Sequence, residues 1–315
     1  MLSFAIVNPR ACVGGLVRSI ASIAGTSVGV CGLVLIASGA AAGCRHPPIM
    51  DFSRLVDARQ LASDLLVQFT KSVDAGNRAV MADTDEASTA FAHEAQQASE
   101  AVSKDIDSLA KILRELEYST ESEMLAEFTT RFDEYRKLDQ SILELAVENT
   151  NLKAQRLSFG PAQEAADAFR DALQSAAAKA PPKNALRVQA LVAEAVAAVR
   201  EMQVLQAPHI AESDEAAMTR LEQKAKEAEG LARRGLDALA PLVPPIAKAQ
   251  LDGSRAALDK FVDLNGQIVA LSRRNSNVRS LALSLGQKRM LTATCEDSLG
   301  ALQDALAKRG FTGTR

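Results

Sequence analysis

No proline occurs between residues 49 and 160. Through that stretch apolar residues recur three and four positions apart, the spacing of a helix that buries one face. Proline inside a helix removes a hydrogen bond, so a long proline-free stretch patterned this way is confined to long amphipathic helices. Prolines return at 161, 181, 182, 208, 241, 244 and 245 and read as boundaries between further helices. Eight helices are expected, at about 51–82, 84–117, 120–159, 162–178, 183–207, 213–240, 246–285 and 287–309. Asp83 or Thr84 and, in the second copy, Ser213 are candidate N-caps, and Thr120-x-x-Glu123 has the form of a capping box. Aromatic residues make up 4% of the chain and tryptophan is absent, which suits close-packed helices rather than sheets. The expected fold is all-α, an elongated up-down arrangement of helices with coiled-coil-like packing.

The pattern is written twice. NTNLKAQRLSFG at 149–160 returns as NSNVRSLALSLG at 275–286. The same offset of 126 aligns Tyr135 with Phe261, Leu138 with Leu264, Ile142 with Ile268 and Leu145 with Leu271. Earlier in each unit, MADTDEA at 81–87 matches IAESDEA at 210–216. Tandem duplication of a four-helix unit is the simplest account, giving units at 55–178 and 183–309 and a short tail at 310–315.

The first 44 residues stand apart. Arg10 and Arg18 precede an uncharged run from Ser19 to Cys44 that is long enough to span a bilayer. The order of charge, apolar run and small residues is that of an export signal. Three endings compete: lipidation of Cys44 after Ala41-Ala42-Gly43, an uncleaved signal-anchor, and ordinary signal cleavage. Each places the body of the chain, after a linker at 45–54, on the extracytoplasmic side, attached to the membrane by a lipid or an N-terminal helix in the first two.

Chemistry-bearing motifs are few. His46, His93 and His209 are the only histidines, none in a metal-ligand spacing. His93-Glu94 and His209-x-x-Glu212 read as surface pairs. Neither a glycine-rich phosphate loop nor a nucleophile elbow occurs, so neither catalysis nor a cofactor is expected. Net charge is −3 with both signs interspersed. No basic stripe is present to neutralise phosphates, which excludes nucleic acid as a partner. Cys295, the one cysteine outside the first 44 residues, aligns with Phe169 and reads as a core position.

The asparagine segment is the remaining candidate site. Asn149 and Asn275 fall on the apolar seam of their helices, while Asn151 and Asn277 point about 200° away by the 3.6-residue period. A buried unpaired amide costs about 1–3 kcal/mol, so each needs a partner. Under one reading the amides fix helix register or tie one unit to the other. Under the second they line a polar pocket, with Lys153 and Arg279 offering charge to a small anionic or amino-acid-like ligand.

The unit at about 55–176, with MADTDEA opening its second helix and EFTTRFDEYRKLDQSILELAVENTNLKAQ on its third, resembles the four-helix-bundle sensor domain of methyl-accepting chemotaxis receptors. The sequence from about 183 to 309 resembles it more weakly. The resemblance implies a periplasmic, membrane-attached helical module that binds a small molecule, a helical protein partner or a second copy of itself. A spacer or adaptor role without a small-molecule pocket is the alternative. No second membrane segment, linker module or signalling hairpin follows, so direct chemotactic signalling is not expected.

Overall fold

A computed structural model describes residues 48–310, with side chains from Phe52 onward. The export segment, Cys44 and His46 lie outside the described residues. Every regular element among those described is helical, and no helix there is long and apolar enough to cross a membrane.

Two long helices open the chain: α1 (Pro48–Met81) and α2 (Asp85–Glu115) pack side by side as a hairpin. The turn into α2 is capped by Thr84, whose hydroxyl accepts from the Ala87 amide. Next come α3 (Ser119–Glu148), α4 (Thr150–Leu157) and α5 (Gln163–Ala177). The second half repeats the order with the hairpin α6 (Ala185–Ala211) and α7 (Glu215–Leu239), then α8 (Lys248–Arg274), α9 (Ser276–Leu283) and α10 (Arg289–Lys308). Single 3₁₀ turns, each begun by a proline, lead into α6 and α8.

Several expected boundaries move, for identifiable reasons. The helix expected over 120–159 breaks at Asn149, and its counterpart over 246–285 breaks at Asn275. Both asparagines sit in the left-handed region, with φ of 50° and 54°, a conformation asparagine tolerates better than most residues. Gly160-Pro161 does not stop the chain: a π turn at Ser158–Ala162 absorbs the proline and α5 continues beyond it. The matching segment Ser284–Lys288 is also a π turn. Pro208 lies within the last turn of α6 instead of ending it. The capping box at Thr120 is not formed. Glu117, at a φ of 57°, makes the turn instead, and the Tyr118 amide reaches back to the Leu113 carbonyl. In the second hairpin the cap is Asp214, not Ser213.

The segments α3–α4–α5 and α8–α9–α10 therefore behave as two kinked rods. They run antiparallel along their whole length, α3 against α10, α4 against α9 and α5 against α8. Each rod passes from one core to the other. The first core is made by α1, α2, α3 and α10. Phe69, Phe128, Phe132 and Tyr135 stack or meet edge-on at its centre, and Cys295, Leu299, Leu302 and Leu306 of α10 close it. The second core is made by α4 to α8, with Phe169, Phe261, Met202 and Leu236 inside. The cores thus exchange their last helices, so their membership does not follow the chain division at 178–183.

Candidate functional site

The two kinks meet at the crossing of the rods. A left-handed residue resets the helical phase, leaving α4 and α9 as new helices whose first N–H groups have no carbonyl one turn back. Each is capped by the other. The Thr150 amide donates to Ser276 Oγ at 3.1 Å, and the Ser276 amide to Thr150 Oγ1 at 3.0 Å. The Asn151 amide donates to Asn277 Oδ1 and the Asn277 amide to Asn151 Oδ1, both at 3.1 Å. The side-chain amides then close the ring. Asn151 Nδ2 donates to Asn275 Oδ1 at 2.8 Å, and Asn277 Nδ2 to Asn149 Oδ1 at 2.9 Å. The knot is tied to the second hairpin through the Ile210 carbonyl, which accepts from Asn151 Nδ2, and the Glu212 carbonyl, which accepts from Asn275 Nδ2, both at 2.7 Å.

This is the self-complementarity of a two-fold interface, built inside one chain. Charge follows the same logic. Glu148 and Arg274 occupy equivalent positions 126 apart and form a forked ion pair across the crossing, Nε to Oε2 at 2.7 Å with a second contact from Nη2 to Oε1. Like charges there would repel. The Arg274 guanidinium holds the Glu148 carboxyl below its usual range.

All six residues singled out from sequence lie at or beside the knot, with corrections. Asn149, Asn151 and Asn275 are all buried, so Asn151 does not face a different neighbour: the phase reset at 149 turns it inward. Arg156, Phe159 and Leu285, which continue the apolar-seam spacing beyond Asn149 and Asn275, are exposed for the same reason. Lys153 bends back onto the Glu148 carbonyl at 2.8 Å, and Arg279 is exposed. The polar atoms of Asn151, Asn275 and Asn277 are spent on one another and on backbone. Asn149 Nδ2, buried and without a partner, is the exception.

Two further polar clusters escaped the sequence reading. In the first core Lys288 Nζ meets Asp139 Oδ1 at 2.6 Å, with both side chains almost wholly buried. Burial raises the Asp139 carboxyl above its ordinary range, against the opposing pull of Lys288. Gly76 of α1 makes room, because a Cβ there would stand 2.5 Å from Lys288 Nζ. Lys288 also lines a cleft of about 290 Å³ between α1 and the start of α10, with Val73, Asn77, Arg289 and Thr292. The Thr292 hydroxyl is buried there without a partner. A signal did exist: Asp139 is a carboxylate four residues after Tyr135 and three before Ile142, inside an apolar seam.

The second core holds the same place differently. The caps Thr84 and Asp214 set the hairpin register, which puts Gln206 where the first core has Gly76. The rod register puts Asn265 opposite Asp139 and Ala162 opposite Lys288. Gln206 donates to Asn265 Oδ1 at 2.9 Å and accepts from Ser158 Oγ at 2.7 Å. A neutral amide pair stands in for the ion pair.

The second cluster surrounds His209, expected at the surface but buried. Its Nδ1 lies 2.8 Å from Ser272 Oγ and its Nε2 lies 2.9 Å from Glu222 Oε1. Arg273 Nε donates to the same Glu222 oxygen at 2.7 Å and is the main reason the Glu222 carboxyl sits below its usual range. The expected partner, Glu212, instead accepts from the Ser213 and Asp214 amides in the hairpin turn.

No protein-family model matches the chain, and no curated protein matches it. Among solved structures it is similar to the sensor domain of the Vibrio parahaemolyticus histidine kinase TorS, with a TM-score of 0.52 and 13% identity over 79% of this chain and 99% of that one. The likeness is one of fold alone, an all-helical arrangement.

Proposed function

We propose that the protein is a non-enzymatic, sensor-like binding module on the extracytoplasmic side of a membrane, which takes a small anionic ligand in the Lys288 cleft. The observation that carries this reading is the buried Lys288–Asp139 pair. Burying two charges costs several kcal/mol of desolvation per ion, and replacing such a pair by neutral groups is often neutral or stabilising. The second core accommodates the neutral pair Gln206–Asn265 at the same place, so packing alone does not call for ions. An ammonium with one carboxylate partner retains unpaired N–H groups, buried beside the cleft, and Arg289 adds charge among the residues that line it. The likeness to a histidine kinase sensor domain and the resemblance to chemoreceptor sensor units support a signal-receiving role. Attachment through Cys44 or an uncleaved N-terminal segment belongs to the same reading.

The test is thermal melting, followed by far-UV circular dichroism, with succinate, citrate, glutamate and sulfate as probes. A ligand at a hundredfold excess over its Kd adds about 2.7 kcal/mol, which for a chain of this size raises Tm by about 4–5 °C. A variant carrying Lys288→Gln and Asp139→Asn copies the neutral chemistry of the second core and is expected to fold without that response. If no probe raises Tm, or the variant responds equally, the ligand reading fails. The adaptor reading then stands, favoured by the knot, whose asparagines are spent on holding the rods together.

A further inference from the structure

The His209 cluster has a defined proton inventory. Ser272 carries one hydroxyl proton, and its Oγ lies 2.7 Å from the His209 carbonyl, to which it donates. That carbonyl belongs to the last turn of α6, where no helical partner is left for it. With its proton committed, Ser272 Oγ accepts from His209 Nδ1–H. On the other side Glu222, held ionised by Arg273, accepts from Nε2–H. Both ring nitrogens thus face an acceptor, a geometry with a place for a proton on each.

Removing one proton forces a specific rearrangement. The Nε2 proton stays with Glu222, so Nδ1 becomes an acceptor and the Ser272 hydroxyl must turn to it. The His209 carbonyl then loses its partner, and the tie from Ser272 of α8 passes from the α6 backbone to the imidazole ring. The following carbonyls of that segment, Ile210 and Glu212, hold Asn151 and Asn275 of the knot. The charged groups facing the ring are Glu222 from α7 and, through Glu222, Arg273 from α8. Met202, Leu205, Gln206, Ile268 and Asn265, which line the same cleft as His209 and Glu222, carry no charge, and the neutral Asn151 of α4 donates to the next carbonyl, that of Ile210.

The repeat supplies an internal control. By the same two registers His209, Glu222, Ser272 and Arg273 correspond to Ala79, Ala92, Ala146 and Val147. The three alanines are buried in the small apolar clusters of the first half, where Val147 packs beside Leu143. The Ala79 and Ala146 carbonyls are both served by Ser88 Oγ from α2, at 3.1 and 3.0 Å. One half of the molecule thus fixes this corner with groups that do not titrate, and the other fixes it with groups that do.

We infer that His209, with Ser272 as its relay and Glu222 as its counter-ion, is a proton-responsive latch that ties the second hairpin to the knot and loosens it as pH rises. Histidine is the side chain whose charge most readily changes between pH 5 and 8, which makes pH the natural input. The inference does not depend on ligand binding in the first core.

The test uses the full chain with ¹⁵N-labelled histidine imidazoles and amide hydrogen exchange at pH 6 and pH 8.5, corrected for intrinsic exchange. At pH 6 both His209 nitrogens are expected in the protonated range, and at pH 8.5 Nδ1 is expected to have lost its proton. The amides of Thr150, Asn151, Ser276 and Asn277 are expected to lose at least tenfold in protection over the same interval. A triple variant, His209→Ala with Glu222→Ala and Ser272→Ala, copies the first half and should show no such loss. Should the triple variant fail to fold, Ser272→Ala alone decides, since it keeps the imidazole but removes the relay. In that variant knot protection is expected no longer to follow pH. Equal pH dependence of the knot in wild type and in the deciding variant overturns the inference, as does a His209 that carries one proton throughout.

Discussion

Gly76→Ala reverses the usual sign of a glycine replacement. In the middle of a helix this change ordinarily stabilises by about 1 kcal/mol, because glycine loses more backbone freedom on folding. At Gly76 the new Cβ would stand 2.5 Å from Lys288 Nζ and 3.0 Å from Asp139 Oδ1. The end of the Lys288 side chain must therefore shift, and in so closed a site the expectation is that it parts from its carboxylate. Breaking a buried ion pair costs about 3–5 kcal/mol, so the net expectation is a loss of about 2–4 kcal/mol. Gly266, with nothing within 4 Å of its notional Cβ, is the control, and Gly266→Ala should stabilise by about 0.5–1 kcal/mol. Urea unfolding followed by far-UV circular dichroism reads both, provided the slope is unchanged so that the midpoint reports stability. In a Lys288→Ala/Asp139→Ala background both obstacles are gone, and Gly76→Ala should become stabilising. A Gly76→Ala chain that is as stabilised as Gly266→Ala in the wild-type background would refute the claim that this glycine exists to admit the ion pair.

Further expectations follow from other contacts. Asn151→Ala removes the acceptor for the Asn277 amide and the donors to Asn275 and Ile210. With each stranded group costing about 1–3 kcal/mol, urea unfolding should show a loss of at least about 2 kcal/mol. The buried Glu121 carboxylate is gripped by Arg309 through two hydrogen bonds at 2.7 and 2.8 Å, which lower its pKa from 4.5. A depressed carboxyl contributes stability above its unfolded pKa and loses it as pH falls through the folded value. The urea midpoint should thus fall less steeply below pH 4.5 in Glu121→Gln than in wild type. The Cys295 thiol is pushed up to about 12 by burial, so with Cys12, Cys31 and Cys44 replaced by serine it should resist a thiol reagent at pH 8 until urea is added. Metabolic labelling with a fatty acid, lost in Cys44→Ala, checks the lipid anchor.

Fold class was legible because three-and-four periodicity is a local property that survives any arrangement of helices. So was the importance of the asparagine segment, through its repetition. The helix break within it was not. Asn149 lies on a continuous apolar pattern, and only the phase reset at a left-handed residue shows that the pattern changes face there. Gly160-Pro161 misled in the opposite direction, since a π turn carries the chain past a residue pair that normally ends a helix. The exchange of α5 and α10 between cores was invisible because a helix presents the same apolar stripe whichever neighbour covers it. Lys288 and His209 were missed for a shared reason. Their partners, Asp139 and Glu222, come from other helices, and spacing along one helix says nothing about charges delivered by its neighbours. The match of MADTDEA to IAESDEA also sits one residue away from the register set by the hairpin caps, enough to hide which residues correspond across the repeat.

The exchanged helices set the order in which this molecule can be completed. The first three long helices leave the ribosome with the groove for Cys295, Leu299, Leu302 and Leu306 unfilled, and the helix that fills it is made only after α4 to α9. Arg59, near the start, waits for the carbonyls of Leu306 and Arg309, about 250 positions later. Closing so long a loop makes folding slow, and the open groove leaves an apolar face uncovered meanwhile. Loss of α10 would thus unroof the core that α1, α2 and α3 build.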